Sequence, residues 1–352
     1  MNVLDLIKPT VLSSVWTESQ TNKVSFLGAG LLFPYTKKET LDISWIKGHK
    51  GVHAVLKASA YDAKATFRDR IGIEKVTTEL PYFKEAYKLK EKDIMDIHRA
   101  VTNNDPYLKD AVSRIYEDEI NLVQSAYVNA ERMAMQLLST DNGNVKIVMG
   151  GDDTDYEYNY DPDGAWKATN YTELKTTALW TAFDTATPIS DLEAAIEKVQ
   201  TETGTVVTKI VMNTKTFNLL LKCKEIKDRI LAQNATANIY LTKKVVKNFI
   251  QEELNISIIL YDKKFKDEEG NTKDYYPEGY VTLLPDGALG NVIFAPTPEE
   301  IEGGEGFKLI DGHIACRVIK ESGDPIGVKT VIAETVLPSY ERMDEVAVLK
   351  VK

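Results

Sequence analysis

The chain has 352 residues, of which 43% are hydrophobic and 27% are charged, and its formal net charge is −10. This composition is that of a globular protein long enough for two packed domains, or for one domain with large extensions. The negative charge argues against tight binding to nucleic acid, because that affinity comes largely from cations that neutralise phosphates. No apolar run approaches the roughly 18 residues of a transmembrane helix, and MNVLDLIKPT carries no recognisable secretion signal.

The first 92 residues are predicted to be largely extended. Residues 1–46 carry scattered apolar anchors without a sustained period, so we expect an extended arm that lies over other surfaces. Residues 47–92 contain two β-type stretches, 51–59 and 65–80, in a basic and glycine-interrupted context. A two-stranded ribbon fits them, and because such a ribbon is marginally stable alone in water, it needs a surface to lie on.

Charge is unevenly spread along the chain. Between Lys47 and Lys92 there are eleven Lys or Arg against six Asp or Glu, a local balance of +5, which leaves −15 for the rest. Acidic clusters lie at 117–119, 152–163 and 299–305. One interpretation is a set of solvated faces, and the other is a basic projection that docks on an acidic neighbour.

A single uninterrupted helix is predicted from Pro106 to Leu138, after a region with almost no helical periodicity. Apolar side chains recur at steps of three and four and form one stripe: Val112, Tyr116, Ile120, Val123, Tyr127, Ala130, Ala134 and Leu137. Asp105 and Pro106 provide the start signal, and Asn142-Gly143 provides the stop. The rod would be about 50 Å long, which is long for a compact domain.

Strands and helices alternate after this helix, which predicts a mixed α/β unit. The predicted strands are 144–151, 155–161, 205–213, 255–262 and one within 275–287. The predicted helices are 188–200, 214–230 with Thr214 or Asn213 as its cap, and 243–254. Residues 267–271 mark a hairpin turn, and the chain closes with strands on either side of Pro338. Cys223 and Cys316 lack a metal-type spacing and are predicted to be reduced core residues.

The motif nearest to a metal site is Asn159-x-Asp161-x-Asp163-Gly164, which matches the opening of a calcium loop. It fails at the twelfth position, where Asn170 replaces a bidentate Glu, and Pro162 lies inside the loop. An acidic surface turn is the simpler interpretation. We therefore assign no metal ligand, cofactor-binding residue or catalytic residue.

Other ligand motifs are equally incomplete. Gly28-Ala29-Gly30 has Phe33 where a dinucleotide loop needs its third glycine, so a tight turn is the alternative we favour. His49 and His53 are four residues apart, but the surrounding glycines make a helix there improbable. His98 and His313 have no partner nearby in sequence that completes a nucleophile–base pair.

Four segments, taken in order, resemble the major capsid proteins of tailed bacteriophages, and more narrowly the lambda-type major head protein family, capsid protein E. These segments are ATFRDRIGIEKVTTELPYFKEAYKLKEKD (65–93), TVVTKIVMNTKTFNLLL (205–221), YYPEGYVTLLPDGALGN (275–291) and SGDPIGVKTVIAETVLPSYERMDEVAVLKV (322–351). The resemblance covers nearly the whole chain. It implies an α+β chain with the fold usually called HK97-like.

The resemblance also implies a division of the chain into parts. These are an N-terminal arm (1–46), an extended loop or E-loop (47–92), a peripheral or P domain (93–205) with its spine helix at about 106–138, an axial or A domain (206–316), and C-terminal strands (317–352) that return to the P domain. The function it implies is that of a structural, non-enzymatic head protein. Such a protein self-assembles into hexamers and pentamers of an icosahedral shell around double-stranded DNA.

The expected partners are further copies of the chain, a separate scaffolding protein, a portal and a decoration protein, with no membrane and no sequence-specific DNA contact. The expected location is the virion, after assembly in the host cytoplasm. For the contact between subunits we expect the basic loop to face acidic residues of a neighbour. The proposed contact residues are Lys57, Lys64, Arg68, Arg70, Lys75, Glu117, Asp118 and Glu119.

Two other functions remain open on sequence alone. An encapsulin-type shell uses the same fold to enclose an enzyme cargo instead of a genome. A metal-dependent enzyme that uses the acidic cluster at Asp152–Asp163 is the third hypothesis, and a bound divalent ion there would support it.

Overall fold

The computed structural model describes residues 8–18, 25–48, 73–103, 106–150, 155–233, 241–321 and 323–352. The helices of these residues are α1 (Pro9–Glu18), α2 (Glu91–Asn103), α3 (Pro106–Ser139), α4 (Ala165–Asn170), α5 (Pro188–Thr203), α6 (Thr214–Leu220), α7 (Lys224–Gln233), α8 (Lys243–Leu254) and α9 (Pro298–Glu302). None of these helices combines the length and the apolarity that a membrane crossing requires.

Seventeen strands accompany the helices in the described ranges. They are β1 (Tyr35–Lys37), β2 (Asp42–Gly48), β3 (Ile73–Glu79), β4 (Tyr82–Leu89), β5 (Lys146–Met149), β6 (Tyr156–Asn159), β7 (Tyr171–Glu173), β8 (Val207–Met212), β9 (Ser257–Leu260), β10 (Lys264–Lys266), β11 (Thr272–Asp274), β12 (Tyr280–Pro285), β13 (Val292–Phe294), β14 (Phe307–Ile310), β15 (Ile314–Glu321), β16 (Gly327–Pro338) and β17 (Ala347–Lys350).

The chain divides into two compact units. Unit 1 comprises Met1–Ser44, Thr77–Arg132 and Asn291–Ser339, and unit 2 comprises Trp45–Val76, Met133–Gly290 and Tyr340–Lys352. Each unit is built around its own sheet. The domain boundaries expected from the resemblance differ from this division and remain a prediction.

Unit 1 is organised by strand β16. The six-stranded sheet has the order β1-β13-β16-β15-β14, and β4 also pairs with β16. Eleven of the twelve β16 residues are buried, as expected of a central strand whose two faces are both covered. Helices α1 and α3 pack their apolar side chains with this sheet, through Leu12 and Trp16 on α1 and Leu122, Val123 and Ala126 on α3.

Unit 2 contains a five-stranded mixed sheet with the order β7-β17-β12-β8-β9. Strand β12 pairs antiparallel with β8 and β17, whereas β8–β9 and β17–β7 are parallel. The core on this sheet contains Trp180, Phe217, Ile226, Phe249 and Leu283, which come from helices, strands and one loop. Such a mixture of strands and helices is the mixed α/β arrangement that the sequence predicted for this region.

The long helix is confirmed, and its observed range, Pro106–Ser139, extends the prediction by one residue. Val123, Ala130, Ala134 and Leu137 of the predicted stripe are all buried. The helix stops where Thr140, Asn142 and Gly143 adopt positive φ angles, which an α-helix does not tolerate.

Two helices before α3 contradict the expectation of an extended, aperiodic region. Helix α1 lies within the predicted arm and is anchored by Leu12 and Trp16, one turn apart. Helix α2 buries Ile97, and most of its other side chains are charged or polar. Helix α1 is short and has two apolar anchors, so it gives little periodic signal. In α2, by contrast, Ile94, Ile97 and Val101 recur at helical spacing, and we missed that pattern.

The single helix predicted at 214–230 is also wrong, because it is two helices, α6 and α7. Between them the backbone hydrogen bonds change to the 3₁₀ type. The N–H groups of Lys222 and Cys223 donate to carbonyls three residues earlier, at 3.0 and 3.2 Å. The Lys224 N–H then bonds to Phe183 O at 2.8 Å, which turns the chain into α7. The predicted cap is settled in favour of Asn213, whose side chain accepts from the Thr216 N–H at 2.7 Å.

Both cysteines are free and buried, as predicted. The hairpin turn at 267–271 is confirmed by the antiparallel pairing of β10 with β11. Strands β2 and β3 form a two-stranded sheet, and the residues between them, 49–72, lie outside the described ranges together with His49 and His53.

We predict that Gly143→Ala destabilises the protein more than Gly270→Ala. Both glycines have φ of +81°, but a Cβ at Gly143 would lie 2.6 Å from the Tyr171 ring, whereas no described atom lies within 4 Å of one at Gly270. The shared backbone strain costs about 1–2 kcal/mol, and the clash should add about 1–3 kcal/mol at Gly143 alone. Denaturant unfolding of the two variants measures the difference, and equal losses would contradict this account of the turn.

Candidate functional site

The predicted basic contact residues fall mostly outside the described ranges. Lys57, Lys64, Arg68 and Arg70 lie within 49–72, and Lys75 lies in strand β3, where the side chain is not described. The strands that flank this segment, β2 and β3, form a two-stranded sheet. The basic contact therefore remains a prediction.

The predicted acidic contact residues all lie on helix α3. The Glu117 side chain is exposed and Asp118 is partly exposed, while the side chain of Glu119 is not described. Glu117 and Asp118 are thus accessible to a neighbour, which the proposed contact requires. The pairing itself involves a second subunit and is not tested by a single chain.

The acidic turn at 159–164 is a helix cap. Asp161 accepts hydrogen bonds from the backbone N–H groups of Trp166 and Lys167, both at 2.9 Å, at the first turn of α4. Asn159 accepts from the Asp161 N–H at 3.0 Å, and Asp163 accepts from the Ala165 N–H at 3.2 Å. These oxygens satisfy backbone donors, which is the usual role of Asp and Asn before a helix.

No group of three or more His, Cys, Asp or Glu side chains among the described residues is arranged to hold a metal ion. Asp152 and Asp153 of the acidic segment lie outside the described ranges. The described part of this segment is therefore explained by capping of α4.

The Gly28-Ala29-Gly30 turn binds a carboxylate of its own chain. Glu131 on α3 accepts from the backbone N–H groups of Leu27, Gly28 and Ala29 at 3.3, 3.2 and 2.7 Å. The turn closes on itself through the Gly30 N–H, which donates to Phe33 O at 2.8 Å. The tight turn that we favoured is confirmed, and its N–H groups face a buried carboxylate, where a dinucleotide loop would face a phosphate.

Aromatic side chains cluster beside this turn in unit 1. Trp16 stacks on Tyr127 with ring centroids 5.5 Å apart, and Tyr35 stacks on His313 at 4.4 Å. Asp311 accepts hydrogen bonds from Trp16 Nε1, at 2.9 Å, and from the Tyr127 hydroxyl. The rings of Trp16, Tyr35 and Tyr127 line a cavity of about 210 Å³. His313 is thus a packed residue of the aromatic cluster, and its ring contacts Tyr35 on β1, Phe294 on β13 and Tyr127 on α3.

Glu299 joins helix α9 to strand β4. Its carboxylate accepts from the Tyr82 hydroxyl at 2.8 Å and from Lys84 Nζ at 2.6 Å. Burial acts to raise the pKa of Glu299, but the bonds from Lys84 and Tyr82 outweigh it and hold the pKa below its usual range. The interaction fixes the position of α9 within unit 1.

We did not predict the burial of four glutamates in the described ranges, Glu131, Glu299, Glu334 and Glu345, which are exposed by at most 6%. Glu131 sits beside Ala130 on the apolar stripe of α3, and Glu334 interrupts the apolar strand β16. A carboxyl at a core position is the pattern that would have identified Glu131 and Glu334, because buried carboxyls need a specific partner.

Comparison with known proteins decides the family. The sequence model of the family described as phage major capsid protein E matches residues 8–351, nearly the whole chain. The chain belongs to this phage major capsid protein family. The resemblance recognised in the four sequence segments is therefore confirmed, and the chain is a structural capsid protein.

Solved structures confirm the HK97-like fold of this capsid protein. A phage-related protein of Bordetella bronchiseptica RB50 is 12% identical, with 97% of this chain and 96% of that chain covered and a TM-score of 0.57. A protein of E. coli CFT073 assigned as a prophage capsid protein is 14% identical, with 80% of each chain covered and a TM-score of 0.52. At such identities the likeness shows the fold alone.

An encapsulin of Synechococcus elongatus PCC 7942, SrpI, is 12% identical over 91% of this chain and 85% of that chain. Its TM-score of 0.40 is too low to support an argument for the encapsulin alternative. No curated protein matches the capsid chain.

We predict that Glu131→Gln destabilises the capsid subunit by about 1.5–3 kcal/mol, because the three backbone N–H groups lose a charged acceptor. The measurement is denaturant unfolding of the full chain. Glu117→Gln is the matched control, since Glu117 lies on the same helix but is exposed. Its effect should stay within about 0.5 kcal/mol, and equal losses in the two variants would contradict the role of Glu131.

Proposed function

We propose that this capsid protein assembles with copies of itself into hexamers and pentamers of an icosahedral shell that encloses the double-stranded DNA of a tailed phage. The observation that carries the proposal is the family match over residues 8–351. The shell forms part of the virion and is built in the host cytoplasm. A separate scaffolding protein, a portal and a decoration protein are the further partners.

The proposed parts of the subunit are the arm 1–46, the E-loop 47–92, the P domain 93–205, the A domain 206–316 and the C-terminal strands 317–352. Strand β16 pairs along its length with β4, which supports a C-terminal segment that returns to earlier parts of the chain. Strand β17 pairs with β12 and β7, so the last residues share a sheet with part of the proposed A domain.

The proposed contact between subunits is electrostatic in part. The +5 balance of residues 47–92 complements the −15 of the remainder, and Glu117 is exposed on α3. A single exposed ion pair contributes about 0–1 kcal/mol, so the contact depends on several pairs acting together. Its repetition in every subunit of a shell multiplies that small contribution.

An acidic subunit also suits a container for DNA. A wall with few exposed cations holds phosphates weakly, so a genome can be packed and released without sequence-specific contacts. The protein acts without catalysis in this proposal. The support is its structural family, together with the use of Asp161 and Asp163 as helix caps.

Negative-stain microscopy of the expressed full chain tests the function directly. We expect closed shells or capsomers, because a shell subunit buries far more surface than the roughly 1,600 Å² of a standard complex. A stable, monodisperse monomer would contradict the proposal. Analysis of particle contents separates the two shell hypotheses, since enclosed enzyme cargo in place of nucleic acid would support an encapsulin.

Charge reversal of Arg68 and Arg70 to Glu should lower particle yield by about tenfold or more, since two pairs become repulsive in every subunit. Thermal unfolding of the variant should match the wild type. Reversal of Lys243 and Lys244, exposed at the start of α8, is the charge-matched control and should leave the yield unchanged. Unchanged yield in the Arg68/Arg70 variant would show that these arginines make no assembly contact.

A further inference from the structure

Glu334 is a buried carboxyl group in the middle of strand β16. Its side chain is 3% exposed. Oε1 accepts a hydrogen bond from Asn129 Nδ2 on α3 at 3.1 Å, while Oε2 is buried without a hydrogen-bond partner. Asn129 is the one described side chain that donates to this carboxyl. A carboxylate in such a place loses its hydration and gains a single neutral donor, which does not compensate for the loss.

The position of Glu334 in the sheet is unusual. On one side β16 pairs with β15 through residues 327–333, and then with β13 through residues 336–338. On the other side β4 pairs with β16 through residues 328–335, with Phe83 opposite Glu334. The Glu334 carboxyl therefore lies where β4, β13 and β15 all meet β16, under helix α3. A change at this residue acts on four strands and one helix of unit 1.

The elements around this junction carry several titratable and charged groups. They are Tyr127, Glu131 and Arg132 on α3, Tyr35 on β1, Asp311 and His313 at the β14–β15 turn, and Lys84 and Glu85 on β4. Lys84 is bonded to Glu299, and His313 stacks on Tyr35. Glu334, Glu131 and Asp311 all add to the effect of burial in raising the pKa of Tyr35, so the three carboxyl groups lie near the same hydroxyl.

The surroundings of Glu334 favour the protonated, uncharged form of its carboxyl group. Burial raises the pKa of Glu334 to about 8, and the hydrogen bond from Asn129 lowers it by less. At pH 7 the group is thus mainly uncharged.

We propose that Glu334 is a proton-controlled latch between helix α3 and the six-stranded sheet of unit 1. With the proton bound, the uncharged side chain lets α3 pack on β16. When the proton leaves, the carboxylate keeps the hydrogen bond from Asn129, but the charge on the unpartnered Oε2 lies in the core without hydration, and this loosens the packing of α3 on β16. The latch is a property of the subunit and does not depend on the proposed shell. In assembled particles it would make the packing of every subunit respond to pH.

The sign of the pH dependence follows from the raised pKa. Below about pH 4.5, the ordinary pKa of Glu, the acid is protonated in both the folded and the unfolded chain and contributes nothing. Between pH 4.5 and about 8 the folded chain binds more protons than the unfolded chain, so stability falls as pH rises. Well above pH 8 the acid is ionised in both the folded and the unfolded chain, so the loss of stability caused by burying its charge no longer changes with pH.

The test compares the full-length wild type with Glu334→Gln by denaturant unfolding at several pH values from 5 to 9. Gln keeps the shape and the Asn129 contact but does not titrate. The folding equilibrium of the variant should exceed that of the wild type by a ratio that grows with pH, up to roughly a thousandfold at pH 9. A ratio that stays constant over this range would overturn the proposal.

Glu299→Gln is the matched control within unit 1. Glu299 is also buried, but it is ionised and bonded to Lys84 and Tyr82. Because its pKa lies below the usual range, the loss of its charge should cost most above the unfolded pKa and least in acid, the opposite trend to Glu334. If both variants showed the same trend, the pH dependence of stability would come from the net charge of the protein and not from the latch.

A spectroscopic measurement covers the case in which Glu334→Gln fails to fold. Infrared difference spectra of the wild type between pH 6 and pH 9 should show a protonated carboxyl band that disappears with an apparent pKa near 8. Hydrogen exchange, corrected for its intrinsic pH dependence, should show α3 around Asn129 and β16 around Glu334 losing protection over the same range. An ionised Glu334 at pH 6, or unchanged protection at pH 9, would overturn the latch.

Discussion

The pairing of strand β16 with three other strands is the constraint on which unit 1 depends. β4, β13 and β15 each form hydrogen bonds with β16, and α3 lies across the same strand through Ile332 and Asn129. A strand with neighbours on both edges and packing on both faces must be short of polar side chains, and the sequence of β16 is. Its one buried acid is therefore conspicuous, because every polar group there must be satisfied or neutralised within the core.

Three of the four buried glutamates in the described ranges show three different ways to keep a carboxyl inside this protein. Glu131 is held by backbone N–H groups, Glu299 by a lysine and a tyrosine, and Glu334 by a single amide. The first two partners stabilise the charged form and act as fixed ties between elements. The third leaves one oxygen without a partner, so the neutral form is favoured and the tie depends on pH.

The elements with strong periodicity were predictable from sequence, and those held by single contacts were not. A long apolar stripe and clear stop residues predict helix α3, and a high content of β-branched and other apolar residues predicts β8 and β16. Helix α1 depends on two anchors, Leu12 and Trp16, which are buried by contacts with residues more than a hundred positions away in sequence. Glu131 and its turn are about a hundred residues apart in sequence, so neither could indicate the other.

Partners that are not visible in the local sequence also explain why two motifs resemble ligand sites that the folded chain does not form. Gly28-Ala29 presents N–H groups as a phosphate loop does, and Asp161 presents oxygens as a calcium loop does. In the folded chain the first meets the carboxylate of Glu131, and the second meets the N–H groups that begin α4. Spacing identifies which polar groups are concentrated, but the fold decides what they face. In both of these places the partner is another part of the same chain, as expected of a subunit whose polar groups serve its architecture.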